Sequence, residues 1–305
     1  MTNPIRNLRT DDADTSSKID CPKHNDISNG INALELKNIN FSYEREPFLK
    51  DFSLAIRIGE FFGIIGPNGS GKTTILKLMA GLLKPTAGSI LVLAKAINEI
   101  GRNDLAKIIG FVSQENFFAF EFTVFDVVLW GRNPYLKRFE NPKKIDFDKT
   151  MEALTLADIL SLKDKSVNRI SAGERQRVVL ARALAQEPKI LLLDEATSHL
   201  DITHQVEFLK ILKRLNKGIP PPLSSPTGGG REGGGGGMTI VFLSHDLNLA
   251  SLVCSRILLL DKGHSVACDK PESVLKPELI ERVYKVKPYL QNHPETGLPQ
   301  IILPI

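Results

Sequence analysis

Long apolar runs are missing from this chain of 305 residues, because no segment approaches the ~18 apolar residues that a membrane-spanning helix needs. Cysteine is scarce, and Cys21, Cys254 and Cys268 contain no C-x-x-C pair, so the spacing of a zinc site is absent. Charge of one sign is not in excess either: the formal net charge is +4, which does not single out nucleic acid as a partner. What remains is the composition of an ordinary globular protein.

Two segments lack the residues of a packed element. Residues 1–32 are polar and mixed in charge, and they contain no apolar core of a secretory signal, so we expect a disordered leader. Residues 218–237 hold Pro220-Pro221-Pro222 and Gly233–Gly237, which predict a flexible insertion. No helix starts on these glycines, so we assign them no phosphate-binding role.

Apolar strands alternate with amphipathic helices along the rest of the chain. A helix is predicted over Lys72–Leu83, and Lys189–Leu193 is a continuous apolar run, as in strands of a parallel sheet covered on both faces. Between about Gln114 and Ser171 the pattern changes to helices with charged connectors. The alternation predicts an α/β fold with a doubly wound sheet and an inserted helical part.

A phosphate-binding motif follows the apolar strand Phe61–Ile65. It reads Gly66-Pro67-Asn68-Gly69-Ser70-Gly71-Lys72-Thr73-Thr74 and matches the P-loop pattern G-x-x-x-x-G-K-[ST]. Such a loop points backbone N–H groups at phosphate oxygens, Lys72 would reach the β- and γ-phosphates, and the Thr73 hydroxyl would hold Mg²⁺. The alternative is a plain glycine turn, but every fixed position of the motif is filled. The sequence therefore predicts a nucleoside triphosphate site.

Two carboxylates end a second buried strand. Asp194 and Glu195 follow Ile190–Leu193, at the edge of an open α/β sheet where nucleotides bind. We expect Asp194 to hold Mg²⁺ through water and Glu195 to polarise the attacking water. The alternative is a pair of solvated acids at a strand end. A GTPase is disfavoured because Asn216-Lys217-Gly218-Ile219 lacks the base-binding Asp, and a small-molecule kinase is disfavoured by the long helical insertion.

The run Ile170-Ser171-Ala172-Gly173-Glu174-Arg175-Gln176-Arg177 precedes the acidic strand. Here the chain resembles the ATP-binding-cassette (ABC) ATPases, whose signature is usually Leu-Ser-Gly-Gly-Gln. Ile170, Ala172 and Glu174 depart from that pattern. The resemblance implies that Ser171, Ala172, Gly173 and Glu174 close over the γ-phosphate held by a partner's P-loop, with two ATP molecules between two chains arranged head to tail. Alone, the run also fits a capped helix with Ser171 as N-cap.

The resemblance implies further site residues. Tyr43 matches the aromatic that stacks on adenine, and Gln114 matches a glutamine near Mg²⁺ and the attacking water. Asp201, in the run Ser198–Asp201, matches the loop that crosses the dimer interface, and His245 matches the histidine that contacts the γ-phosphate. By themselves a strand tyrosine, a loop glutamine and a lone histidine are more often structural or solvated. The catalytic set expected from the resemblance comprises Lys72, Gln114, Glu195 and His245.

The resemblance also implies the organisation of the chain. It predicts a P-loop NTPase (RecA-like) core with an antiparallel β subdomain in an ATPase domain over residues 33–265. An α-helical subdomain is expected at about 115–170, and a C-terminal helix with short strands at 266–305. The run Thr123–Tyr135 and the tail are similar to the iron-siderophore, haem and cobalamin importer branch. The resemblance implies a homodimer that is peripheral on the cytoplasmic face of the cell membrane. It would work with a polytopic permease and, indirectly, with a periplasmic or lipoprotein substrate-binding protein.

Two other functions stay open at this point. A soluble cassette ATPase of DNA repair would carry a long coiled coil in the insertion, and one of translation would carry two cassettes in one chain. This sequence has neither feature. A nucleotide-binding regulator without turnover is the remaining alternative, and it predicts that ATP is never hydrolysed.

Overall fold

The computed structural model describes residues 32–44, 46–113, 120–219 and 237–304. Its strands are β1 (Asn32–Tyr43), β2 (Glu46–Arg57), β3 (Phe61–Ile65), β4 (Ala87–Val92), β5 (Lys95–Ala96), β6 (Ile109–Val112), β7 (Ile190–Leu193), β8 (Thr239–Leu243), β9 (Arg256–Asp261), β10 (His264–Asp269), β11 (Tyr289–Asn292) and β12 (Pro299–Ile302). Its α-helices are α1 (Lys72–Met79), α2 (Arg102–Ile108), α3 (Val124–Leu129), α4 (Lys144–Leu156), α5 (Ala172–Leu184), α6 (Ile202–Lys217), α7 (Leu247–Val253), α8 (Pro271–Val274) and α9 (Pro277–Tyr284). The predicted leader up to residue 31 and most of the predicted insertion, 220–236, lie outside the described residues.

A central sheet has the strand order β10-β9-β3-β8-β7-β6. Its strands from β9 to β6 are parallel, and β10 pairs with β9 antiparallel. Every residue of β3, β7 and β8 is buried, because both faces of the sheet are covered. The continuous apolar runs of these strands are the sequence counterpart of that burial.

Two hydrophobic cores flank the central sheet. Leu191 and Leu193 point into a core shared with α5 and α6, whereas Ile190 and Leu192 point into a core shared with α1 and a second sheet. That second sheet is antiparallel, with the order β2-β1-β4-β5. The predicted fold class is confirmed: an α/β P-loop NTPase core with an antiparallel β part and an inserted helical part.

Two predicted helix ends are wrong for local reasons. The helix predicted to reach Leu83 ends at Met79, because Gly81 takes the left-handed conformation with φ 69°. In the insertion, apolar residues at helical spacing over Thr123–Gly131 predict one continuous helix, but the chain passes into a 3₁₀ turn at Trp130–Tyr135, which contains Pro134. Its start at Thr123 is fixed by a capping box with Asp126.

No helix among residues 32–304, within the described ranges, combines the length and apolar character needed to cross a bilayer.

A buried arginine ties the helical insertion to the end of α5. The Nε atom of Arg132 donates to Asp146 Oδ1 at 3.1 Å, and one terminal nitrogen donates to the Ala185 carbonyl at 2.6 Å and to Glu187 Oε2 at 2.9 Å. The Tyr135 ring lies 3.8 Å from the guanidinium carbon. The side chains of Arg132 and Asp146 are only 3% and 4% exposed. Because water cannot solvate either charge, the Asp146 carboxylate and the Arg132 guanidinium stabilise each other.

Replacing Arg132 by Met is expected to lower the free energy of unfolding by about 3–5 kcal/mol, because Asp146 would keep a buried charge without its cation. Equilibrium unfolding in urea measures the loss. Arg138→Met makes the same chemical change at an exposed position of the same segment and is expected to change stability by less than about 0.5 kcal/mol. Equal losses in the two variants would contradict the structural role of Arg132.

Candidate functional site

Three neighbouring parallel strands carry the candidate site at their carboxyl ends. In the register of the sheet, Ile64 of β3 lies beside Leu243 of β8, and Phe242 of β8 lies beside Leu193 of β7. The segments that follow these strands therefore meet at one edge. They are the P-loop, the residues around His245 and the acidic pair Asp194-Glu195.

The P-loop has a backbone that only glycine tolerates at its first position. Gly66 has φ 154°, and a Cβ there would lie 2.3 Å from the Leu260 carbonyl oxygen. Gly71, with φ 107°, is the N-cap of α1, so the unpaired N–H groups of the first turn face the loop. The Ser70 hydroxyl is buried without a hydrogen-bond partner among the described residues. Polar groups are thus assembled around a concave backbone that suits an anion.

Lys72 places its ammonium group inside this loop. The Nζ atom donates to the carbonyl oxygens of Gly66 at 2.9 Å and Pro67 at 3.1 Å, and it lies 3.9 Å from Glu195 Oε1. Burial lowers the pKa of Lys72, and the carboxylates of Glu195 and Asp194 oppose that shift. The ammonium group is therefore partly desolvated and donates its hydrogen bonds to neutral carbonyl oxygens, so a phosphate would be a stronger hydrogen-bond partner.

Thr73 and Asp194 bring two oxygen atoms together. The Thr73 hydroxyl donates to Asp194 Oδ1 at 3.1 Å. Burial raises the pKa of Asp194, the Thr73 hydrogen bond opposes this, and the adjacent Glu195 raises it further. A partly desolvated carboxylate beside a hydroxyl is an oxygen donor set of the kind that Mg²⁺ prefers. The residues present therefore fit a divalent cation.

Glu195 sits in a strained turn between these groups. Its φ is 47°, in the left-handed region, and the Ser198 N–H and hydroxyl donate to its carbonyl oxygen at 3.1 and 2.9 Å. Its carboxylate has Lys72 on one side and, on the other, His245, whose Nδ1 lies 3.5 Å from Glu195 Oε2. A cavity of about 220 Å³ opens beside Glu195 and His245. Backbone strain at a polar residue that borders a cavity is typical of functional sites.

The signature residues lie at the start of α5. Ser171 is the N-cap: its hydroxyl accepts from the Glu174 N–H at 3.2 Å, and its own N–H donates to Glu174 Oε2 at 2.7 Å. This last bond is the main reason why the pKa of Glu174 is lowered. Within the described part of the chain, no hydrogen bond or ion pair joins Ser171 or Glu174 to the P-loop. Ala172 instead lines a cleft of about 170 Å³ together with Glu195.

Sequence reasoning missed how the signature meets α6. A Cβ at Gly173 would lie 2.1 Å from Cδ2 of His204, so the two helices start in direct contact. The His204 ring bonds the Asp201 carboxylate at 2.8 Å, and Asp201 caps α6 through the His204 N–H at 2.9 Å. These bonds lower the pKa of Asp201. The i, i+3 spacing of Asp201 and His204 is a capping signal in the sequence, but the contact with Gly173 has no local signal.

The remaining predicted residues are placed as follows. The Tyr43 hydroxyl bonds the Thr74 hydroxyl at 2.8 Å, and the ring is 48% exposed, with Phe48 at its edge. Gln114 lies outside the described residues. Tyr284, which sequence reasoning did not select, has a buried hydroxyl near the Gly66 backbone without hydrogen-bond geometry. Burial raises the pKa of Tyr284 above its usual range, and Gly66 opposes this.

The chain is similar in sequence to ATP-binding proteins of ABC transporters. A family profile described as "ABC transporter" matches residues 49–198. The chain is 31% identical to the ferric enterobactin transport ATP-binding protein FepC of Escherichia coli (strain K12), over 90% of this chain and 96% of FepC. It is 36% identical to the hemin import ATP-binding protein HmuV of Pseudomonas fluorescens (strain Pf0-1), over 88% and 99%.

A solved structure gives the same result. The chain is similar to MJ0796, a bacterial ABC transporter cassette solved as a dimer. The TM-score is 0.63 and the identity 30%, over 78% of this chain and 98% of the other.

Gly66→Ala is expected to weaken nucleotide binding by about 10-fold or more, because the added Cβ would displace the loop from the Leu260 carbonyl. A fluorescent ATP analogue measures the dissociation constant. Gly297→Ala is the matched control outside the P-loop: its φ is 69° and no heavy atom lies within 4 Å of the added Cβ, so only backbone strain of about 1–2 kcal/mol is introduced. Wild-type affinity in Gly66→Ala would show that the loop has room to adjust.

Proposed function

This chain belongs to the ABC transporter family and is an ATPase, and we propose that it powers an importer of an iron chelate or a related compound. The candidates for the cargo are a siderophore complex, haem and cobalamin. The observation that carries the proposal is the meeting of Lys72, the Thr73–Asp194 pair, Glu195 and His245 at one edge of the sheet.

The P-loop is the proposed binding site of the triphosphate. The backbone N–H groups of Gly66–Thr74 and the Lys72 ammonium would hold the β- and γ-phosphates, and Tyr43 would stack on adenine. The desolvated ammonium of Lys72 supports this role, because an anion would restore the interactions that burial removes. The Tyr43 ring is half-exposed and its hydroxyl is bonded to Thr74 of the P-loop, which supports a contact with the base of the same nucleotide.

Mg²⁺ is the proposed metal, held by Thr73, Asp194 and Gln114. When bound, it would neutralise charge on the phosphate oxygens during transfer. The oxygen donors at Thr73 and Asp194 and the raised pKa of Asp194 support a cation there, because a positive charge would favour the ionised carboxylate.

Glu195 is the proposed general base for the attacking water. Water would attack the γ-phosphorus as the bond to the bridging oxygen of ADP breaks, and its proton would pass to the Glu195 carboxylate. His245 would contact the γ-phosphate from the opposite side of Glu195. The positions of Lys72 and His245 on either side of this carboxylate support the assignment.

A second copy of the chain would complete each site. Ser171–Glu174 of one copy would close over the γ-phosphate on the P-loop of the other, and Asp201 would lie at the interface. The start of α5 could serve an anion through the N–H groups of Ala172 and Gly173, while those of Ser171 and Glu174 are engaged in the capping box. Support comes from the dimeric structure of the related cassette.

The importer assignment depends on relatives named for ferric enterobactin and hemin, which align over nearly their whole length. A polytopic permease would receive the closing motion through the helical subdomain at about 115–170. The ATPase domain at 33–265 and the tail at 266–305 would then lie at the cytoplasmic face of the membrane. A substrate-binding protein, periplasmic or a lipoprotein, would act through the permease, and no nucleic acid is involved.

Reconstitution distinguishes this proposal from a soluble cassette ATPase. The chain is expected to co-purify with a polytopic permease, and in proteoliposomes an iron chelate with its binding protein should raise ATP hydrolysis. Stimulation by DNA or ribosomes, with no membrane partner, would instead support repair or translation.

Glu195→Gln is expected to retain ATP binding, slow turnover by ~10²-fold or more and accumulate ATP-bound dimer, because the amide cannot accept the proton from water. Single-turnover hydrolysis and nucleotide retention measure both effects. Glu152→Gln makes the same change at a surface ion pair with Lys149 and should leave turnover unchanged. Near-normal hydrolysis in Glu195→Gln would remove Glu195 from the catalytic role.

A further inference from the structure

The C-terminal hairpin packs against the helix that follows His245. Strands β11 and β12 pair antiparallel, with Leu290 opposite Ile301. Along β12, Pro299 and Ile301 are buried, whereas Gln300 and Ile302 are more exposed. The buried face contacts α7, which begins two residues after His245. The tail therefore lies directly behind one part of the candidate site.

Asn248 makes the central contact. Its side-chain nitrogen donates to the Ile301 carbonyl at 3.1 Å, and its side-chain oxygen accepts from the Ile301 N–H at 2.7 Å. One side chain thus satisfies both backbone groups of a strand residue, as a neighbouring strand would. The Ser251 hydroxyl, one turn later, donates to the Pro299 carbonyl at 2.8 Å, and Ser251 is 1% exposed.

Helix α7 needs such support. It has only seven residues, and a helix of that length is marginal without tertiary contacts. Asp246 caps its start by accepting from the N–H groups of Asn248 and Leu249 at 2.9 and 3.0 Å. On the other side of His245, the Ser244 N–H donates to the Ile64 carbonyl at 3.2 Å. His245 itself is half-exposed, and the backbone on its two sides is held by these bonds and by the Ser244 hydroxyl, which accepts from the Asp246 N–H at 2.9 Å.

We propose that Asn248 is a positioning residue for ATP hydrolysis, which holds His245 in place by fastening α7 to the C-terminal strand β12. This proposal rests on the proposed function, in which His245 contacts the γ-phosphate. Loss of the Asn248 bonds would let α7 and His245 drift from Glu195 while the P-loop, on the neighbouring strand, stays intact. The effect should fall on turnover and not on nucleotide affinity.

Asn248→Leu removes both hydrogen bonds at similar volume. It is expected to lower kcat by about 10-fold or more, because small displacements of catalytic groups are costly. The KM for ATP should stay within about 2-fold of wild type, since the P-loop contacts are unchanged. Asn248→Asp keeps the acceptor for the Ile301 N–H, so its kcat should lie between that of the wild type and that of Asn248→Leu. Gln300→Leu is the control on the outer side of the same strand. The Gln300 side chain has no hydrogen bond among the described residues, so its replacement should leave kcat near the wild-type value.

A double-mutant cycle separates positioning from plain stabilisation. All variants are assayed well below their thermal midpoints. If Asn248 acts through His245, Asn248→Leu should have no further effect on kcat in a His245→Ala background. Multiplied losses in the double variant, or wild-type kcat in Asn248→Leu, would overturn the proposal.

Hydrogen exchange reports on the bracing without any turnover. Amides of residues 244–250 should exchange faster in Asn248→Leu and not in Gln300→Leu. Unchanged exchange in Asn248→Leu would show that the Asn248 bonds to β12 do not hold α7 in place, which overturns the proposal but leaves the proposed role of His245 untouched. Full hydrolysis in His245→Ala would instead remove His245 from the proposed mechanism, and the role of Asn248 in turnover with it.

Discussion

The parallel pairing of β3, β8 and β7 is the constraint on which the site depends. Each strand is a short, fully buried apolar run, and each ends in a segment with a different chemical group. Their common direction brings an ammonium, a histidine and two carboxylates to one edge, although these groups are up to 173 residues apart in the chain (Lys72 to His245). Apolar burial within the sheet thus offsets the cost of placing Lys72 and Asp194 where they are largely shielded from water.

Burial perturbs two of these groups in opposite directions. Burial lowers the pKa of Lys72 and raises that of Asp194, so each favours its neutral form more than it would in water. A triphosphate with a divalent cation would supply the missing charges of both signs. The backbone at Glu195 and the glycine-only backbone at Gly66 are both in conformations that L side chains rarely adopt, as is typical of functional sites.

The parts of this site that can be predicted from the sequence are the ones formed by contiguous motifs. The P-loop and the acidic pair could be recognised because each motif contains its own chemistry and follows a buried strand. The central sheet could be predicted from the alternation of apolar runs with amphipathic helices, whereas the short tail strands were expected from the resemblance to the cassette ATPases. The contact of Gly173 with His204 and the bond of Asn248 to Ile301 join distant residues, so no local pattern reveals them. Helix ends such as Met79 depend on one left-handed glycine and were misjudged.

We propose that one triphosphate is held between two copies of the chain. Sedimentation velocity of the Glu195→Gln chain with Mg-ATP tests it most directly when repeated with Ser171→Arg added. A nucleotide-dependent dimer is expected in the first case and, in the second, a monomer that still binds ATP through its own P-loop. A nucleotide-bound monomer in the first case, or an unimpaired dimer in the second, would contradict it.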